Sequence, residues 1–134
     1  MAKVPWLRVY LSGPISKGDQ EHNFAQAATM QVELVKLRFA VLNPMLTMKL
    51  PGHEAIAHES WIASDLPWVE MADAVLRLPG ESIGADMETR HADEHGVPVF
   101  HSLADLLAWR VALTQRGSIA RRASDGDIRV YPIG

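Results

Sequence analysis

The stretch "DAVLRLPGESIGADMETRHADEHGVPVF", residues 73–100, decides the fold. DAVLRL (73–78) is a short apolar run of the kind that forms a buried strand. PGESIG (79–84) is a loop of turn-forming residues. ADMETRHADEH (85–95) reads as a helix, closed by Gly96, which adopts the left-handed backbone that ends helices. VPVF (97–100) is the next strand. A strand, a helix and a second strand in immediate succession make a crossover unit, whose two strands lie parallel in one sheet.

The same alternation extends outward. WLRVYL (6–11) is β-branched and aromatic and runs into the turn-rich loop SGPISKGD, so it reads as a first strand. Residues 19–39 place Phe24, Ala27, Ala28, Val32, Leu34 and Val35 near helical spacing, with acids early and Lys36 and Arg38 late, as the helix dipole favours. AVLNP (40–44) is a second strand stopped by Asn43-Pro44. Residues 54–72 read as a helix that Pro67 kinks or restarts. SLADLLAWRVALTQ (102–115) is a last helix capped by Ser102. The expected class is α/β: a Rossmann-like or flavodoxin-like parallel sheet of about four to five strands flanked by helices. In such sheets ligands bind at the carboxyl ends of the strands, where the chain order reverses. Loops 12–18, 43–53 and 79–84 would lie there. Residues 1–116 are expected to form this domain. From Gly117 the pattern is lost, and 117–134 reads as a tail or as an arm docking on a partner subunit.

The totals exclude several classes. A chain of 134 residues suits one domain. It has no cysteine, which removes disulfide, thiol and cysteine-ligated metal chemistry. A net charge of -3 gives no footprint for a nucleic-acid polymer or an anionic membrane. The N-terminal run, broken by Pro5 and Arg8, lacks a signal sequence, and no run approaches a membrane span. The expected location is the cytoplasm.

Within the helix 85–95, Glu88 shares its stripe with Ala85 and Ala92, while Asp86, Thr89, Arg90, Asp93 and Glu94 already fill a polar face. A carboxylate turned towards a sheet must be paired, desolvated or bound to something. A slightly rolled helix with Glu88 at its boundary gives the same pattern. Asp65 lies between Trp61 and Trp68, facing a cleft or, in "SDLP", capping a helix start with Ser64. The loop 12–18 is either a phosphate cradle or a plain turn. It has neither the Walker spacing nor the dinucleotide fingerprint. His53 and His58 are five apart and point away from each other on a helix, so they make no zinc pair. His91 and His95 have the i, i+4 spacing of a helical metal pair, which a solvated face also produces. Two acids in unequal apolar surroundings suit cleavage of a glycosidic bond, one attacking or stabilising the sugar carbon and the other handling the leaving group's proton.

The run YLSGPI (10–15) followed by Asn23, then AVLNP, then the segment from Asp65 to Val99 with Trp68, Ala72, Asp73, Ser82, Gly84 and Glu88 in register, resembles the nucleoside 2-deoxyribosyltransferase superfamily. It is nearest to the small DUF4406-like proteins, and it is also similar to the deoxynucleoside 5'-monophosphate N-glycosidases. The resemblance covers residues 8 to about 100 and is most specific from 65 to 88. It implies that Glu88 is the nucleophile, that Asp65 assists base departure and that Tyr10 orients Glu88. It places substrate contacts at Ser12, Gly13, Pro14, Ile15 and Ser16, at Asn43, and at Ser82 and Gly84. Serine at 82, where transferases of free nucleosides tend to carry an acid, leans towards 5'-monophosphates. The chain departs from the nucleotide hydrolases in having Pro14 and Ser16 where they carry serine and arginine, and Lys17 stands nearby. The implied activity is cleavage or exchange of the N-glycosidic bond of a (deoxy)nucleoside or its 5'-monophosphate. A non-catalytic nucleotide-binding or sensing module on the same fold is the alternative. No cofactor or metal is implied, and the expected partners are a small nucleoside or nucleotide and further copies of the chain in a homodimer or larger homo-oligomer.

Overall fold

Two strands buried on both faces form the centre of the sheet. The computed structural model of the chain describes residues 6–133. Residues 1–5, which include part of the N-terminal run read above as lacking a signal sequence, and Gly134 lie outside the described residues. Strands β1 (Arg8–Ser12) and β3 (Ala74–Arg77) are buried almost throughout, as expected of parallel strands covered on both faces. β2 (Ala40–Leu42) pairs with the far side of β1, and β4 (Val99–Phe100) with the far side of β3. The order is β2-β1-β3-β4, with every pairing parallel. The expected α/β class is therefore what the chain adopts, with four strands in its main sheet. The order reverses between β1 and β3, which opens a crevice at their carboxyl ends.

Side chains alternate across a strand, and here the alternation divides core from site. Val9, Leu11 and Leu76 pack with Leu34 of α1 (Gln20–Lys36) and with Leu106 and Leu113 of α4 (Leu103–Arg116). Tyr10 and Val75 face the other way, onto Val69 of α2 (His58–Met71) and Ala92 of α3 (Ile83–Glu94). In register, Tyr10 lies between Leu42 and Val75, and Ser12 opposite Arg77.

Two segments differ from the sequence expectation. α2 does not restart at Pro67: it runs unbroken from His58 to Met71 with Pro67 inside and Ala57 at its N-cap. Asp65 and Ser64 therefore cap nothing. The stretch after Gly117 is not patternless. It is an antiparallel hairpin, β5 (Ser118–Arg122) and β6 (Ile128–Pro132), turning through Asp125-Gly126. Ile119 joins the main core, with Tyr131 and Ile133 against it. Arg121 grips the buried Asp73 carboxylate through Nε at 2.5 Å and Nη2 at 2.7 Å, while the Arg8 backbone N–H donates to the same carboxylate at 2.7 Å. Asp73 is thus fixed at the start of β3, as a structural acid. The region 44–49, read only as connection, is a 3-10 helix.

Candidate active site

Glu88 answers the question its stripe raised. α3 is pressed onto the sheet by Ala85 and Ala92, 1% and 0% exposed, and so carries Glu88 inward to 6% exposure over the end of β1. The small neighbours leave room for the carboxylate. Tyr10, at a β1 position facing α3, donates its hydroxyl proton to Glu88 Oε2. Ser12, two residues further along the same face, donates to Oε1 at 2.8 Å. Both oxygens are thereby held, and the carboxylate is fixed in direction. The period of the strand makes this possible, since Tyr10 and Ser12 share one face.

Burial dominates the electrostatics. It pushes Glu88 up to about 7, against the hydrogen bonds from Tyr10 and Ser12, with the charge of Asp65 raising it further and that of Arg77 lowering it. Asp65, half-buried on α2, is pushed up to about 6 by burial, and its hydrogen bonding to Tyr10 works in the opposite direction. Tyr10 is driven far above the ordinary phenol value by burial and by the two nearby carboxylates. It therefore stays a proton donor throughout the working range. Two acids raised towards neutrality and close enough to feel each other can hold one proton between them near pH 6–7.

Glu88 and Asp65 both face a cleft of about 470 Å³ at the carboxyl ends of β1 and β3. This size suits one small ligand. Its apolar wall is Met48, Ile56, Trp61, Ile62 and Ile83; its polar end holds Ser16, Lys17 and Ser82. Ser82 caps α3, its Oγ accepting from Ala85 N–H at 3.0 Å. Its own hydroxyl proton remains available to a ligand. Lys17 Nζ lies 3.0 Å from Glu81 Oε1 in an exposed ion pair.

Of the other residues expected to touch substrate, Gly13, Ile15, Ser16 and Gly84 line the cleft. Tyr10 and Ser12 lie beneath it and act on Glu88. Pro14 is buried, and it sits so close to Gly80 that a Cβ there would meet its Cγ at 2.7 Å. With φ +119, Gly80 needs glycine on both counts. Pro14 thus locks the first loop to the third and does not line the cleft. Asn43 does not line it either. Its Oδ1 accepts from Met45 N–H at 3.0 Å, capping the 3-10 helix, and its Nδ2 donates to Gln31 Oε1 at 3.1 Å.

Several neighbours of the site were not given a place in it from the sequence. Arg77, 9% exposed, donates to the carbonyls of Leu78 and, at 2.8 Å, Gly80, shaping the loop before Ser82. An arginine inside the apolar run DAVLRL was the available signal. Asn23 donates to the carbonyls of Ile15 and Lys17 at 3.3 and 2.8 Å, which pins the first loop. His53 comes to the cleft on a second 3-10 turn (His53–Ala55), and His58 and Trp61 on the start of α2, with Trp61 Nε1 donating to His53 O at 3.2 Å.

A buried carboxylate, a second raised acid and a cleft of small-molecule size define a candidate acid–base site on a doubly covered parallel sheet. The chain belongs to the family described as "Domain of unknown function (DUF4406)", which it matches over residues 7–101. Its fold is also that of a solved 2-deoxyribosyltransferase from the psychrotolerant bacterium Bacillus psychrosaccharolyticus. The two are 22% identical with a TM-score of 0.52, over 69% of each chain. No curated protein matches it.

Proposed function

We propose that the protein is an enzyme that cleaves or exchanges the N-glycosidic bond of a (deoxy)nucleoside or its 5'-monophosphate through a glycosyl ester on Glu88. The observation that carries this is the Glu88 carboxylate, buried, held at both oxygens by Tyr10 and Ser12, and sharing one cleft with Asp65. The solved 2-deoxyribosyltransferase lends support at the level of the fold.

In the first step a Glu88 oxygen attacks C1' of the sugar. The C1'–N bond breaks, its electron pair goes to the base nitrogen, and Asp65 delivers a proton to the departing base. In the second step water, or the nitrogen of another base, attacks C1'. Asp65 takes the proton of the incoming group, and the ester bond returns its electrons to Glu88. With Glu88 at about 7 and Asp65 at about 6, the shared proton rests on Glu88 in the unliganded site; the first step needs it on Asp65, and the hydrogen bonds from Tyr10 and Ser12 lower the cost of ionising Glu88.

The polar end favours a 5'-phosphate. Ser82 offers a hydroxyl, the first turn of α3 offers backbone N–H groups and the positive end of its dipole, and Lys17 offers a charge. The apolar wall with Trp61 suits the flat face of a base. Trp68, Ile83 and Met87 stay exposed on α2 and α3, which is consistent with burial in a homo-oligomer.

The test is incubation with a panel of nucleosides, deoxynucleosides and their monophosphates, read by release of free base. Addition of a second base separates transfer from hydrolysis. Wild-type protein should release base from at least one member, and Glu88→Gln from none. Binding that raises the melting temperature, without turnover of any member, would favour a nucleotide-sensing module instead.

A further inference from the structure

A second cluster of polar side chains lies away from the cleft, where the carboxyl-terminal ends of α2 and α3 meet. Glu70 comes from the last turn of α2, His91 from the last turn of α3 and His95 from its C-cap. Glu70 Oε1 lies 2.8 Å from His95 Nε2 and 3.4 Å from His91 Nε2. All three donor atoms lie within 4.8 Å of one another.

The proton positions are constrained. His95 Nδ1 is 2.8 Å from the backbone carbonyl of His91, which can only accept, so Nδ1 carries the proton. In the neutral ring Nε2 then has a bare lone pair, 2.8 Å from a carboxylate oxygen that is also an acceptor. A proton on Nε2 or a bound cation relieves that contact. His91 Nε2 is shielded from solvent and has no hydrogen-bond partner, although it lies 3.4 Å from the same oxygen. The two rings lie with centroids 4.2 Å apart, so two imidazolium charges there would repel. A single divalent cation satisfies all three atoms at once.

We propose that Glu70, His91 and His95 bind a first-row divalent transition-metal ion of the zinc type, one per chain. Imidazole and carboxylate are suitable ligands for such ions. The backbone bond from His95 Nδ1 is the kind of outer contact that fixes a metal-binding tautomer. Tetrahedral zinc, with bonds of about 2.0–2.1 Å, separates its donor atoms by about 3.3–3.4 Å. The spacing of Glu70 Oε1 from His91 Nε2 already fits, and that from His95 Nε2 needs to open by about half an ångström. Three protein ligands leave a fourth position for water. The ion would clasp α2 to α3, the helices that carry Asp65 and Glu88, at their ends remote from the cleft. This assignment stands whether or not the glycosidic reading is correct.

The test uses the full chain, free of any histidine tag and stripped with a chelator, titrated with Zn²⁺ by calorimetry and with Co²⁺ by visible absorption. We expect one ion per chain, the intense visible bands of four-coordinate cobalt, and a melting temperature raised by several degrees at saturation. Glu70→Gln, His91→Gln and His95→Gln should each weaken binding by at least about tenfold, while His22→Gln on α1 leaves it unchanged. Circular dichroism and metal-free melting show that each variant is folded. Absence of saturable binding to the wild-type chain, or binding that persists in the folded His91→Gln/His95→Gln double variant, overturns the proposal and leaves a Glu70–His95 ion pair that shares a proton.

Discussion

Tyr10→Phe removes one hydroxyl from the centre of the site and little else. Tyr10 is 1% exposed, and the phenyl ring fills the same space, so packing is kept. The loss is the proton donated to Glu88 Oε2. A hydrogen bond to a charged group contributes about 1.5–3 kcal/mol, equivalent to about one to two pKa units. Glu88, already pushed up to about 7 by burial, becomes harder to ionise by that amount. The productive arrangement has Glu88 ionised and the proton on Asp65. Asp65 loses its own hydrogen bonding to Tyr10 at the same time, so the shared proton moves towards Glu88 by at most about 10- to 100-fold. We expect kcat/KM for base release to fall by up to about 100-fold near neutral pH, and the alkaline limb of its pH profile to move up by about one unit or more. Base release is followed from about pH 5 to pH 9 on a substrate found with the panel, with melting curves of both proteins alongside. If Tyr10→Phe keeps the parent's kcat/KM and pH profile while Glu88→Gln is inactive, the orienting role assigned to Tyr10 is refuted.

Four further outcomes are expected. The pH profile of kcat/KM should be bell-shaped with its maximum between about 6 and 7, since one proton must stay on the pair of Asp65 and Glu88; a flat profile across that interval contradicts this. Glu88 has a folded-state value of about 7, raised by burial above its ordinary 4.5. The folded protein therefore binds more protons than the unfolded chain between those values, and stability falls as pH rises through that window. Glu88→Gln should accordingly be more stable than the parent at pH 8 by about 1–3 kcal/mol, with the advantage gone near pH 4, as read by denaturant titration. Asp65→Asn should lower kcat by about 10²- to 10⁴-fold, most of all for bases that leave poorly without a proton, as single-turnover base release would show. Arg121→Ala leaves the buried Asp73 carboxylate short of its main partner and should destabilise the fold by about 3 kcal/mol; an unchanged melting temperature would mean that the hairpin contributes nothing to holding β3.

The sheet was legible because its two central strands carry apolar runs separated by helices of regular period, and no local signal competed. Glu88 was legible for the same reason: Ala85 and Ala92 mark the buried face, and the polar face is complete without it. Asp65 was ambiguous because "SDLP" satisfies the local chemistry of a helix start. Packing of Val69 against Tyr10, Val75 and Ala92 keeps α2 helical through Pro67 all the same. The hairpin was missed because only Ile119 of β5 is fully buried, and the arginines conceal the alternation. The Asp125-Gly126 turn between two runs of β-forming residues was the overlooked signal. Pro14 and Asn43 were placed at the substrate by the family resemblance, and contacts made across the fold with Gly80 and Gln31 draw them elsewhere. His91 and His95 showed their spacing, but Glu70 reaches them only through the packing of α2 on α3, which no local pattern reports.

The most direct measurement is acid-quenched mass spectrometry of the protein mixed with a turned-over substrate, followed by tryptic mapping. The peptide of residues 78–90 should gain the mass of one glycosyl unit, carried on Glu88, and lose it when water or a second base is given time to react. A labelled peptide elsewhere in the chain, or steady turnover by Glu88→Gln, would contradict the account.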